Sequence, residues 1–208
     1  KSFQPDVTLG IGYWGNVPEL IQSPMNHGLK AIPWFNADGW VANYHNTLNN
    51  LPLIVVTSNW VKATYIRDGV KEDNIHVCHI GFDPETFHPI PLKDHRTAKL
   101  RELLGIREHE KMILTAGGDV TSKGAQEMLK ALAKIDKTFP NWKYVLKVYD
   151  SSSAEPHEEE ENQLIEELEL DKNKIIYLSG AYSPEFMASL LNACDIYAGP
   201  SRLEGFGM

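Results

Sequence analysis

Short runs rich in β-branched and aromatic residues recur along this chain, separated by stretches long enough for a helix. In the first half they are Val7 to Ile11, Leu29 to Trp34, Leu53 to Thr57 and Ile75 to Ile80, about 22 residues apart. In the second half they are Met112 to Ala116, Tyr144 to Val148, Ile175 to Leu178 and Ile196 to Ala198. Such spacing is too wide for hairpins and suits parallel strands joined by crossover helices, so an α/β fold is expected. Helices are predicted at Asn59–Asp68, Ala125–Thr138, Glu158–Leu168 and Pro184–Ala193. Ser183-Pro184-Glu185 gives the last of these a capping hydroxyl, a proline in the first turn and a carboxylate on the positive helix end. Met128, Leu129 and Leu132 form one apolar stripe on the second.

Gly81-Phe82-Asp83-Pro84-Glu85-Thr86-Phe87-His88-Pro89-Ile90-Pro91 gathers prolines and turn formers, and the domain junction is placed there. Two Rossmann-like, doubly wound parallel-sheet domains result, 1–90 and 91–208. Both are expected to be incomplete, because the second has four strand runs where six are usual. The chain opens on Lys1-Ser2-Phe3 and stops at Met208, and it reads as a fragment.

Asp and Glu number 28 against 20 Lys and Arg, a formal charge of -8. That balance speaks against a general affinity for nucleic acid or anionic membrane, so an anionic ligand would need a local device. Cys78 and Cys194, the two cysteines of the chain, have neither disulfide nor metal-ligand spacing, which suits a reducing cytoplasm. There is no apolar run of membrane-spanning length and no signal stretch, so a cytoplasmic protein is expected, with peripheral membrane contact left to regions outside this sequence. The acidic run Glu158 to Glu161 is read as a solvated helix start.

In a doubly wound sheet of order 3-2-1-4-5-6 the ligand crevice opens where the order reverses, between the carboxyl ends of strands 1 and 4. Two glycine-bounded loops fall there. The first is Gly117-Gly118-Asp119-Val120-Thr121-Ser122-Lys123-Gly124. The second is Gly199-Pro200-Ser201-Arg202-Leu203-Glu204-Gly205-Phe206-Gly207. Glycines allow close backbone approach, amides at a helix start favour phosphate, and Lys123 adds a cation. Glu204 suits sugar hydroxyls, and a diphosphate joined to a sugar satisfies the whole set.

Pro200-Ser201-Arg202-Leu203-Glu204-Gly205-Phe206-Gly207 resembles the P-S-x-x-E-G-F-G segment of retaining GT-B glycosyltransferases, family four or group one. Gly180 to Glu185 and Ala193-Cys194-Asp195 resemble the stretch before it. Lys123-Gly124 matches the family's lysine-glycine, Gly81-Phe82-Asp83 with Phe87 and Pro89 its interdomain junction, and Thr57 to Val61 its preceding strand and helix. The resemblance implies a GT-B enzyme that moves a sugar from a nucleotide diphosphate to an acceptor with retention. It gives Lys123 and Glu204 catalytic contacts with the diphosphate and the donor sugar. It places Gly117, Gly118, Ser201, Arg202, Gly205, Phe206 and Gly207 along the donor. The partners implied are a nucleotide sugar and a carbohydrate, lipid or other small acceptor, with no nucleic acid. No cofactor and no metal are called for: fixed donors can stabilise the departing diphosphate, there is no Asp-x-Asp, and the histidines lack ligand spacing.

The chain departs from that pattern in places. Gly118 stands where the family has an arginine five residues before the lysine. The family's second glutamate would be residue 212. Tyr149-Asp150-Ser151-Ser152-Ser153 replaces a glycine-rich turn, and Pro33 to Asp38 lacks the histidine usual near the donor. A GT-B epimerase or phosphorylase and a non-catalytic nucleotide-sugar-binding protein are therefore the alternatives. In the first half Tyr13, Trp14, Asn16, Trp34, Phe35, Asn36, Asp38, Trp40, Tyr44 and His45 combine rings with amides and a carboxylate. Trp14, Asn16, Trp34, Asn36 and Asp38 are the acceptor-side candidates, and core or loop anchoring is the competing role for these rings.

Overall fold

A computed structural model describes residues 4–13, 18–36, 40–41, 44–117, 123–148, 158–202, 204 and 206, with 158 and 159 described in backbone only. The chain forms two compact units. One comprises Lys1–Gly81 with Leu203–Met208, the other Phe82–Arg202. The division therefore falls at the start of the proline-rich junction.

The first unit holds strands β1 (Val7–Gly12), β2 (Lys30–Phe35), β3 (Ile54–Val56) and β4 (Ile75–Val77), and helices α1 (Ser23–Asn26), α2 (His45–Leu48) and α3 (Asn59–Arg67). All four strands are parallel, in the order β1-β2-β3-β4. Helix α3 starts because the Ser58 hydroxyl accepts from the Val61 amide at 3.2 Å, satisfying one of the orphan donors of a helix end. It buries Val61 and Tyr65 against Phe35, Ile54 and Val56. Edge strand β1 presents Val7, Leu9 and Ile11 outward, all exposed.

The second unit holds α4 (His95–Leu103), β5 (Lys111–Ala116), α5 (Ala125–Asp136), β6 (Trp142–Lys147), α6 (Glu158–Glu167), β7 (Ile175–Leu178), α7 (Pro184–Ala193) and β8 (Ile196–Tyr197). Its parallel sheet has the order β7-β6-β5-β8, which is 3-2-1-4 counted within the unit. Strand alternation sends the two faces of the sheet into separate cores. Tyr144 and Leu146 pack with Leu129 and Leu132 of α5 and Ile165 of α6. Met112, Leu114 and Val145 pack with Leu100 of α4 and Leu190 and Ala193 of α7. The Ser183 hydroxyl accepts from the Phe186 amide at 3.3 Å, and Pro184 begins α7.

The short helices α1 and α2 were not predicted, and two further features differ from the sequence reading. Helix α4 was not foreseen. Its ladder is started by Asp94, whose carboxylate accepts from the Arg96 amide, and Thr97 ties it to the junction by donating to the Pro91 and Leu92 carbonyls. The acidic run is not wholly solvated either. Glu160 is exposed, but Glu161 is 1% exposed and accepts from the Tyr177 hydroxyl at 2.8 Å. Glu161 turns inward from the helix, and there the tyrosine meets its carboxylate.

At the amino ends of the strands, Asp195 gathers three donors. Arg101 Nη1 and Lys111 Nζ each lie 2.9 Å from its carboxylate, and the Met112 amide donates to it at 2.8 Å. Arg101 also donates to the Ala193 and Glu110 carbonyls, so one guanidinium fixes α4, α7 and β5 together.

Candidate functional site

The sheet order of the second unit puts β5 beside β8, with the strand numbering reversing between them. The two glycine loops leave from their carboxyl ends. The strand ends are joined there by several bonds. The Ala198 amide donates to the Leu114 carbonyl at 2.8 Å, Thr115 Oγ1 donates to the Ala198 carbonyl at 2.8 Å, and the Tyr197 hydroxyl donates to the Ala116 carbonyl at 3.2 Å.

At Gly124 the two loops come close together. It is the residue before α5, with φ +75°, and a Cβ built on it would stand 2.4 Å from the Pro200 carbonyl oxygen. Both the left-handed backbone and the lack of space require glycine. The start of α5 is thereby held against the loop after β8. A helix start presents free amides and the positive end of a dipole, which favours an anion.

Lys123 immediately precedes this glycine, and its side chain runs over Gly117: a Cβ on Gly117 would lie 3.5 Å from Lys123 Cδ. Glu127, in the first turn of α5, pairs with Arg202 from the other loop. The Arg202 hydrogen bond, then the helix-start backbone, holds the Glu127 carboxyl below the usual range. Ser201 is half-buried between these groups in sequence, and Glu204 is exposed. Phe206 is half-buried, its ring centroid 5.4 Å from that of His79.

The candidate donor residues are thus distributed as follows. Gly117, Lys123, Ser201 and Arg202 belong to the second unit, and Glu204 and Phe206 to the first. Gly118, Gly205 and Gly207 lie outside the described residues. On the acceptor side Trp14, Asn16 and Asp38 also lie outside them, Trp34 is half-buried and Asn36 is exposed. The aromatic set divides: Phe35 is fully buried and Tyr44 packs against the core, whereas Tyr13 and Trp40 are exposed at 60% and 61%. The sequence reading missed Lys147, the last residue of β6. It is 4% exposed, and its burial lowers the pKa of its ammonium. The signal available was a lysine inside the otherwise apolar run Tyr144 to Val148.

Among the described residues there is no group of three or more His, Cys, Asp or Glu placed to hold a metal ion, and no helix is long and apolar enough to cross a membrane. Cys78 and Cys194 are free thiols, the first exposed.

Known proteins share this organisation. D-inositol 3-phosphate glycosyltransferase of Corynebacterium jeikeium is 32% identical, over 77% of this chain and 38% of that protein. The solved structure of Anabaena HepE in complex with UDP and glucose superposes with a TM-score of 0.78 at 19% identity, covering 94% of this chain and 53% of its own. Sucrose-phosphate synthase from Thermosynechococcus elongatus gives 0.79 at 18%, covering 98% and 52%. The chain therefore spans less than half the length of the curated relatives it matches and about half of these structures, and over that part its fold is that of the GT-B enzymes. Residues 97–208 match the family model described as glycosyl transferases group 1. With more than half of its length inside that match, the chain belongs to the group 1 glycosyl transferases.

Proposed function

We propose that this chain is part of a glycosyltransferase that moves a sugar from a nucleotide-diphosphate donor to a carbohydrate, lipid or other small acceptor, with retention at the anomeric carbon and without a metal ion. The observation that carries the donor reading is the contact at Gly124. It holds the amino end of α5, with Lys123 beside it, against the loop that leads from β8 to Glu204. Amides, a helix dipole and an ammonium together make a preorganised site for a diphosphate leaving group. Its charge grows in the transition state, so fixed donors there lower the barrier. Lys123 supplies that charge in place of a metal ion. Glu204 takes hydroxyls of the donor sugar, and retention follows the family resemblance. HepE, in complex with UDP-glucose in one solved structure, makes a uridine donor the first to try.

The test is transfer by Lys123→Ala and Glu204→Gln, with UDP-, GDP- and ADP-sugars screened first by thermal stabilisation. Each substitution is expected to lower transfer by roughly ten- to thousand-fold. Transfer at the wild-type rate in both would overturn the reading. Stabilisation by inorganic phosphate and by none of the nucleotide sugars would move a phosphorylase ahead of it.

A further inference from the structure

The segment that carries Glu204 is anchored differently at its start and at its tip. Its stem leaves β8, where the Ala198 amide donates to the Leu114 carbonyl and Thr115 donates to the Ala198 carbonyl, and Arg202 then pairs with Glu127. Past Arg202 the chain passes out of the second unit, and Leu203–Met208 count with the first. In that stretch Phe206 has a glycine on each side, Gly205 and Gly207. Glycine gives up more backbone freedom on ordering than any other residue. A Gly-Phe-Gly segment therefore binds a ligand at least entropic cost when its one ring is already held.

The ring has a fixed seat. His79 follows β4, and the Cys78 amide before it donates to the carbonyl of Val56 at 2.9 Å, a fully buried residue of β3. The imidazole thus leaves from the end of a hydrogen-bonded sheet, and a side chain on such an element holds its position better than one on a loop. Its centroid lies 5.4 Å from that of the half-buried Phe206 ring, with 42° between the planes. At this separation and tilt aromatic rings attract beyond the area they bury. Both residues belong to the first unit, and His79 stands past the carboxyl end of a parallel strand, the side on which open sheets bind ligands.

We propose that His79 is a positioning residue of the donor site: its ring seats Phe206, and so sets the backbone on either side of Phe206, and Glu204 two residues before it, ahead of donor binding. This rests on the donor reading above. In this role His79 touches no reacting atom and supplies no charge. What it supplies is a flat ring, so phenylalanine should serve in its place and alanine should not.

The experiment measures binding of UDP-, GDP- and ADP-glucose by calorimetry to the wild-type protein, to His79→Ala, His79→Phe, Phe206→Ala and Lys123→Ala, and to the double variant of His79→Ala with Phe206→Ala. His79→Ala is expected to weaken the preferred nucleotide sugar roughly two- to tenfold, and His79→Phe to keep most of the affinity. The double variant should bind no more weakly than Phe206→Ala alone, since residues in contact are not additive. Wild-type affinity in His79→Ala, with Lys123→Ala impaired, overturns the role of His79 and leaves the donor reading standing. Equal impairment of His79→Ala and His79→Phe assigns the imidazole to the ligand itself and overturns the ring seat. Additive losses in the double variant show that His79 does not act through Phe206, which also overturns it. A wild-type protein that binds none of the three nucleotide sugars overturns the donor reading, and the positioning role with it.

Discussion

The two ends of the second-unit sheet use the same residue types to opposite purposes. At the amino ends, Asp195 is met by Arg101, Lys111 and the Met112 amide, so the charges of three elements close on one another. At the carboxyl ends, Lys123 lies over a glycine and Lys147 under a tyrosine ring, beside a helix start that needs Gly124. The first arrangement spends its charge on holding helices to strands. The second places lysines where open parallel sheets bind ligands. Substitutions at the two ends should therefore separate stability from function.

The largest separation is expected from Lys123→Ala, which should cost transfer up to about a thousandfold and leave the urea midpoint unchanged. A drop in both would make the carboxyl end structural as well. Asp195→Ala should do the reverse. It leaves Arg101, whose side chain is 14% exposed, buried without its carboxylate, and removal of one member of such a pair destabilises by about 3 kcal/mol. Urea unfolding would show this, with donor affinity in the remaining folded protein unchanged. Lys111, exposed at 67%, should contribute much less because water screens it.

Gly124→Ala tests the contact between the loops. Alanine would occupy a left-handed backbone and approach the Pro200 carbonyl oxygen, a combination expected to cost about 2 kcal/mol. If the loop after β8 yields instead, stability will be spared and nucleotide binding lost, and the two readouts distinguish these outcomes.

Acid should act on the amino end. Desolvation alone would raise the Asp195 carboxyl, but the Met112 amide, Lys111 and Arg101 outweigh it and hold it below the usual range. A carboxyl with a lowered folded-state pKa stabilises fully once the unfolded aspartate is ionised, above about pH 4 to 5, and loses that contribution as pH falls toward the folded value. Asp195→Asn should flatten the acid limb of a melting-point profile below about pH 4. An unchanged limb would show that other carboxylates govern acid unfolding.

Much of the second unit was legible because its strands are apolar runs and its helices carry caps. Pro184–Ala193 was fixed by Ser183 and Pro184, and the order 3-2-1-4 by the rule for doubly wound sheets. Helix α4 was not legible from periodicity, since His95–Leu103 buries only Thr97 and Leu100. Asp94 was the clue, a cap with no apolar stripe behind it. Nor could the sequence reveal that Glu161 turns inward while Glu160 does not, because the outcome depends on Tyr177 arriving from β7. Lys147 shows the same limit: a lysine at a strand end reads as exposed until the loops beside it are placed.

The smallest effect concerns the pair that links the two loops. Arg202 and Glu127 meet, but their side chains are 59% and 44% exposed. A pair so open to water contributes little to folding, although it lowers the pKa of Glu127. If its purpose is to hold the loop after β8 in place beside α5, then Arg202→Ala and Glu127→Gln should weaken nucleotide binding by similar factors, each severalfold, with no shift in the melting point. If Arg202 instead touches the donor directly, the two substitutions part. Arg202→Ala would weaken binding, while Glu127→Gln would release the guanidinium, remove a negative charge from the helix start and strengthen it. The sign of the Glu127→Gln effect therefore decides whether the arginine belongs to the fastening of the loop or to the ligand.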